Sequence, residues 1–144
     1  MRTFIAAALL LLFTILSVQA QQLMTVGEIL DKGGKKLSKA DAQQIYAGAT
    51  VSGVQGGTHP DTTFKNTYLP DGHVTGDAWN KGVWFTKITG TWTTNDLGQV
   101  CQNLKNEQNE AIIGCQFYFS LNGKYYAARA EERATLANER SFTR

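Results

Sequence analysis

Hydrophobic and polar positions divide this chain into three stretches with different periods. The first is unbroken: Thr3 to Val18 is uncharged and strongly apolar, Arg2 stands before it, and Val18-Gln19-Ala20 closes it with small residues where a signal peptidase reads. That layout predicts a cleaved secretory signal over residues 1–20. The run is shorter than the ~20 apolar residues of a spanning helix, and polar Gln21 and Gln22 follow at once. No Cys follows the cleavage position and no twin-arginine pair precedes it, which implies an unlipidated chain exported unfolded.

The second stretch, residues 21–48, has helical spacing. Thr25-Val26-Gly27-Glu28 reads as a capping box, with the Glu28 carboxylate placed to reach back to the cap, and Gly33-Gly34 stops the helix. Ser38 opens a second helix with Asp41 three positions on. Ala42, Ile45 and Tyr46 share one of its faces, and Gly48 ends it. Helices this short need a surface to pack against.

From residue 49 to 144 the period shortens to two, and Thr, Val, Phe, Tyr, Trp and Gly dominate. Strands are predicted over 50–54, broken by Gly56-Gly57, and over 62–69, where Phe64 and Tyr68 share a face. Others are predicted over 73–76, 82–89, 90–94, 99–104, 111–121 and 124–128. Pro70-Asp71-Gly72 and Asn95-Asp96-Leu97-Gly98 are turns, and Asn122-Gly123 is the strongest hairpin signal. Residues 129–144 read two ways, as helix from their Ala, Glu and Arg content or as a last strand through RATLANERSF. Turns at this spacing predict a mainly β (α+β) domain: a small antiparallel barrel or sandwich preceded by two short helices.

Charge adds little. Removing the signal takes Lys+Arg from 14 to 13 against 12 Asp+Glu, a near-neutral balance that gives nucleic-acid binding no support. Lysines 32, 35, 36 and 39 are the one local cluster, read as a solvated helix end. Cys101 and Cys115 are an even pair in an exported chain, which predicts a disulfide and an oxidising compartment, periplasmic or extracellular. The competing use, a metal or redox thiol pair, lacks a CxxC and a nearby His.

Catalytic patterns are sparse. His59 and His73 each lie beside a carboxylate, in His59-Pro60-Asp61 and Asp71-Gly72-His73, and would make a metal or acid/base site only if the two loops met. No Gly-x-Ser-x-Gly elbow and no phosphate-cradling glycine loop exists, so no cofactor or metal is implied. The aromatics carry more. Alternation sends Trp84 and Phe85 to opposite faces and separates Phe117 and Phe119 from Tyr118. One set fills a core, and the other packs under the helices or lines a cavity or docking face. The candidate ligand contacts are Trp84, Trp92, Tyr118 and Tyr125.

At Gly90-Thr91-Trp92, Asn95 to Cys101, Cys115-Gln116-Phe117-Tyr118 and Asn122-Gly123-Lys124-Tyr125, the chain resembles small exported bacterial proteins. These form an uncharacterised family, a domain of unknown function with a lipocalin-like look. Lys36-Leu37-Ser38 and Ala47-Gly48-Ala49-Thr50 extend the resemblance, which covers about Leu37 to Tyr126, while Pro70 departs from the family's turn. It implies a periplasmic β domain and supplies no site residues. The resulting expectation is an exported, non-enzymatic binding module for a small apolar ligand or a cell-envelope protein, with no membrane span after signal cleavage. The alternatives are a periplasmic inhibitor of a lytic enzyme or protease, and a weak hydrolase using loop carboxylates with His59 or His73.

Overall fold

The apolar–polar alternations after residue 48 become the staves of a closed antiparallel barrel. The computed structural model describes residues 23–56 and 59–144; the expected signal over 1–20 and Gly57 of the expected strand break lie outside them. Two helices and ten strands are described: β1 Leu23–Thr25, α1 Val26–Asp31, β2 Lys35–Lys36, α2 Lys39–Tyr46, β3 Ala49–Gly56, β4 His59–Tyr68, β5 His73–Asn80, β6 Val83–Thr94, β7 Val100–Asn106, β8 Ala111–Leu121, β9 Lys124–Ala128 and β10 Leu136–Thr143. Strands β3 to β10 pair each with the next, and β10 returns to β3, so eight strands close without a crossover. Closure decides between barrel and sandwich. It also satisfies the backbone edges an open sheet would leave unpaired.

Both capping boxes form. The Thr25 and Ser38 hydroxyls each accept a backbone N–H three residues on, while Glu28 and Asp41 reach back to the cap nitrogens. Hydrogen bonds from Thr25 hold the Glu28 carboxyl below its ordinary range, and those from Ser38 do the same for Asp41. The boxes fix where each helix starts, and so which face each turns to the barrel.

The inward-facing residues of the barrel form one core: Val51, Tyr68, Val74, Ala78, Ile88, Trp92, Val100, Leu104 and Tyr118, with Ala42 and Tyr46 of α2 closing one end. A second core lies outside the barrel wall. There Phe117, Phe119, Leu121, Tyr126, Ala128 and Ala137, on β8, β9 and β10, are covered by Met24, Val26 and Ile29. The split of Tyr118 from Phe117 and Phe119 is thus the pleat of β8 serving both cores.

Two expectations need correction, and one left open is decided. The 82–89 and 90–94 segments are a single strand, β6, because Gly90 lets it run on against β7 where a side chain would not fit. Of the two readings left open for residues 129–144, the strand is the one found over Leu136–Thr143, because β10 pairs with β9, β1 and β3 despite its helix-favouring composition. Lys35 and Lys36 are not a helix end but the short strand β2, paired with Phe119 and Ser120 of β8. The Lys36 ammonium lies 4.5 Å from the Phe117 ring centre and ion-pairs with Glu131, and Lys39 pairs with Asp96 at 2.6 Å.

Cys101 and Cys115 form a disulfide across directly paired positions of β7 and β8, at a sequence separation of 14. Both cysteines are committed to this bond, and among the described residues there is no free cysteine. Replacing both with serine is expected to lower unfolding free energy by about 3 kcal/mol, the chain-entropy value for a loop of this length. Urea denaturation of the two proteins measures it, and an unchanged midpoint would show that the paired strands already supply the constraint.

Candidate functional site

An eight-stranded barrel is just wide enough for its side chains to fill it or to hold one small ligand. Small residues at several inward positions leave this barrel incompletely filled. Gly53, Gly76, Ala78, Gly114 and Ala127 fall on the inner face of β3, β5, β8 and β9, and a cavity of about 340 Å³ lies between the Tyr46 end and the opposite mouth. A Cβ built on Gly114 meets nothing within 4 Å. Phe64, Ala78, Ile88 and Leu104 form apolar walls, with Ile112 and Ile113 nearer the mouth. Exposed Gln55, Ile113 and Arg129 mark the opening, at the end away from α2.

The floor is aromatic and hydroxylated. Tyr46 projects from α2 against Tyr68, Trp92, Tyr118 and Phe142, its ring centre 4.6 Å from that of Tyr68 and 5.2 Å from that of Tyr118. The Tyr46 hydroxyl donates to that of Tyr118, and Tyr68 Oη donates to Gln102 Oε1 at 2.9 Å. Burial pushes Tyr46 well above the ordinary tyrosine range, with Tyr118 and Tyr68 adding to it. Burial also raises Tyr68 and Tyr118; the Arg140 charge opposes both rises, more prominently at Tyr118. All three are therefore neutral hydrogen-bonding groups at neutral pH.

Arg140 is the buried charged residue of the cavity lining and is 4% exposed. It stands where β10 pairs with Tyr125 of β9 on one side and Gly53 of β3 on the other. A Cβ at Gly53 would lie 2.8 Å from Arg140 Nη1 and 2.9 Å from its Cδ, so the glycine makes room for this side chain. The guanidinium carbon is 5.2 Å from the Phe64 ring centre, and Nη1 donates to the Glu139 carbonyl at 3.2 Å. Nearby, the Asn66 amide bonds the Tyr68 hydroxyl, while Asn66 Oδ1 is buried without a hydrogen-bond partner among the described residues.

Of the four residues predicted from sequence, Tyr118 lines the cavity. Trp92 is buried in the floor, its Nε1 donating to the Leu69 carbonyl at 2.8 Å. Tyr125 packs on Phe142 with ring centres 5.1 Å apart. Trp84 is 50% exposed and donates to Asp77 at 2.9 Å, away from the cavity lining. His59 and His73 do not meet: β4 runs from His59 to Tyr68 and the following turn returns at His73, so they occupy opposite ends of the barrel. The His73 side chain lies against its own turn, Nδ1 standing 3.2 Å from Asp71. The cavity lining contains no carboxylate and no histidine, and no cluster of metal-ligating side chains occurs among the described residues. The residues that sequence reasoning missed are Arg140, Gln102, Gln116 and Asn66. Their signal was polarity at inward positions of strands, visible only once inside and outside are assigned.

No described helix is long and apolar enough to cross a membrane. Comparisons with protein-family models, with curated proteins and with solved structures return no match to this chain.

Proposed function

We propose that this protein is an exported binding module that takes up one small, largely apolar molecule inside its barrel. The observation that carries the reading is the cavity of about 340 Å³, floored by Tyr46 and walled by Phe64, Ile88 and Leu104. Apolar walls with a few convergent polar groups are the usual make-up of a small-molecule site. Taking a water's share of liquid volume as about 30 Å³, the cavity suits a ligand of roughly a dozen non-hydrogen atoms. A lining without carboxylate or histidine, whose tyrosines are held neutral by burial, fits holding better than transforming.

The test uses Gly114, which faces the cavity with open space beyond it. Wild-type protein should take up the neutral fluorophore 1-naphthylamine, which is of about that size, with a blue-shifted emission. Gly114→Phe should fill the cavity and abolish uptake without lowering the melting temperature. Equal uptake by both proteins would overturn the reading.

A second reading, an inhibitor of a lytic enzyme or protease, draws on the β5–β6 hairpin, where Val83 is 70% exposed and Trp84 and Phe85 are each 50% exposed. Clustered exposed apolar side chains of this kind suit docking on a protein. Loss of lysozyme or protease inhibition on changing Trp84 and Phe85 to Ser would favour it.

A further inference from the structure

A guanidinium enclosed in a protein wall has given up its water, and it normally recovers the loss from a carboxylate. Arg140 does not. None of the ion pairs among the described residues involves it, and the adjacent Glu139 is committed to Lys124 at 3.1 Å. The tyrosines around it stay neutral. What the fold does provide is placement: Gly53 clears the path of the side chain, Phe64 supports the guanidinium, and the whole group opens on the cavity. Gln102, Gln116 and Tyr118 line the same chamber, and Arg129 stands exposed at its mouth.

We propose that the molecule held in the barrel is an anionic amphiphile, a monocarboxylate whose head pairs with Arg140 and whose apolar body lies against Phe64, Ile88 and Leu104. This rests on the reading of the cavity as a ligand site and adds the ligand's charge to it. A carboxylate matches the planar fork of Arg, which offers two parallel N–H donors to two oxygens. A dianionic phosphate would bring a second charge for which the buried part of the site holds no partner. The second cation, Arg129 at the entrance, favours arrival of anions over neutral molecules of the same shape. Asn66 Oδ1 is an acceptor and takes no part in holding the head.

The experiment compares decanoate with 1-decanol, two probes with one apolar body and different heads, by titration calorimetry at pH 7.5 below their aggregation limits. Wild-type protein should bind decanoate about ten-fold or more tightly than decanol, the discrimination expected of a charge-assisted pair. Arg140→Gln should erase the preference by weakening decanoate alone, and Arg140→Lys, which keeps the charge and loses the fork, should fall between. Equal binding of the two probes by the wild type would overturn the role of Arg140 and leave the binding module standing. Binding of neither would overturn both. The wild-type comparison decides even if the Arg140 variants do not fold.

Discussion

Gly90→Ala is expected to destabilise the protein by about 4 kcal/mol or more, a loss reserved for a few identifiable mechanisms. The mechanism here is collision with main chain. A Cβ on Gly90 would stand 2.2 Å from the Asn103 carbonyl oxygen and 2.8 Å from Leu104 Cα. Both are backbone atoms of the paired strand β7, so no rotamer change relieves them. The remaining escape is to part β6 from β7 around the Gly90–Leu104 rung and its neighbours. Gly90 also has φ 156°, where a residue with a Cβ is strained. Glycine within a strand commonly marks such a close approach of two backbones. Gly114→Ala is the matched control: the same change in the same barrel, with nothing near the new methyl group. It should be neutral or stabilising by up to about 1 kcal/mol. Urea unfolding of both variants provides the measurement. A loss below about 1 kcal/mol at Gly90 would mean that β6 and β7 can separate there without cost.

Tyr46→Ala is expected to cost about 3–5 kcal/mol, the range for deleting a large buried ring. The ring is 1% exposed and touches four other aromatic side chains from its place on α2, so its removal leaves a void the closed staves cannot collapse into. Against a total stability of roughly 5–15 kcal/mol, that is a large share. Tyr46→Phe separates ring from hydroxyl. It should cost only about 1–2 kcal/mol, because the Tyr118 hydroxyl loses its best partner while its contact with Gln116 Oε1, 3.4 Å away, remains. Because Tyr46 also floors the cavity, the alanine variant should have a deeper one. If both variants unfold at the wild-type urea midpoint, α2 is not the plug described above.

Features written in adjacent residues were legible before any coordinates. Thr25 with Glu28, Ser38 with Asp41, and Asn122-Gly123 each specify a local geometry through their own hydrogen bonds or φ values, and each formed as expected. Phe64 and Tyr68 share the inner face because a strand's period is two whatever sheet it joins. The rest depended on partners far along the chain. Gly90 read as a break, since its neighbour Asn103 enters only through strand pairing. Arg140 lay unremarked in a segment that composition drew toward helix; three pairing strands overrode that preference. Trp84 was singled out for being aromatic, but alternation alone does not say which face of a strand becomes the lumen. The site therefore stayed hidden where its chemistry is polar and its placement depends on closure.

Closure also sets an order of events. The pairing that seals the barrel joins β10 to β3, and the Thr143–Thr50 hydrogen bond across that seam links positions 93 residues apart. Every other stave pairs with the one made just before it, so a growing chain can zip up a meander yet leave its first edge open until the last strand arrives. Such long-range pairings are slow because the loop entropy is lost before any contact compensates for it. Arg140 is carried into the lumen by that same final strand. The cavity is consequently complete only once that pairing forms, and a chain held short of it would present an unsealed strand edge in place of an enclosed chamber.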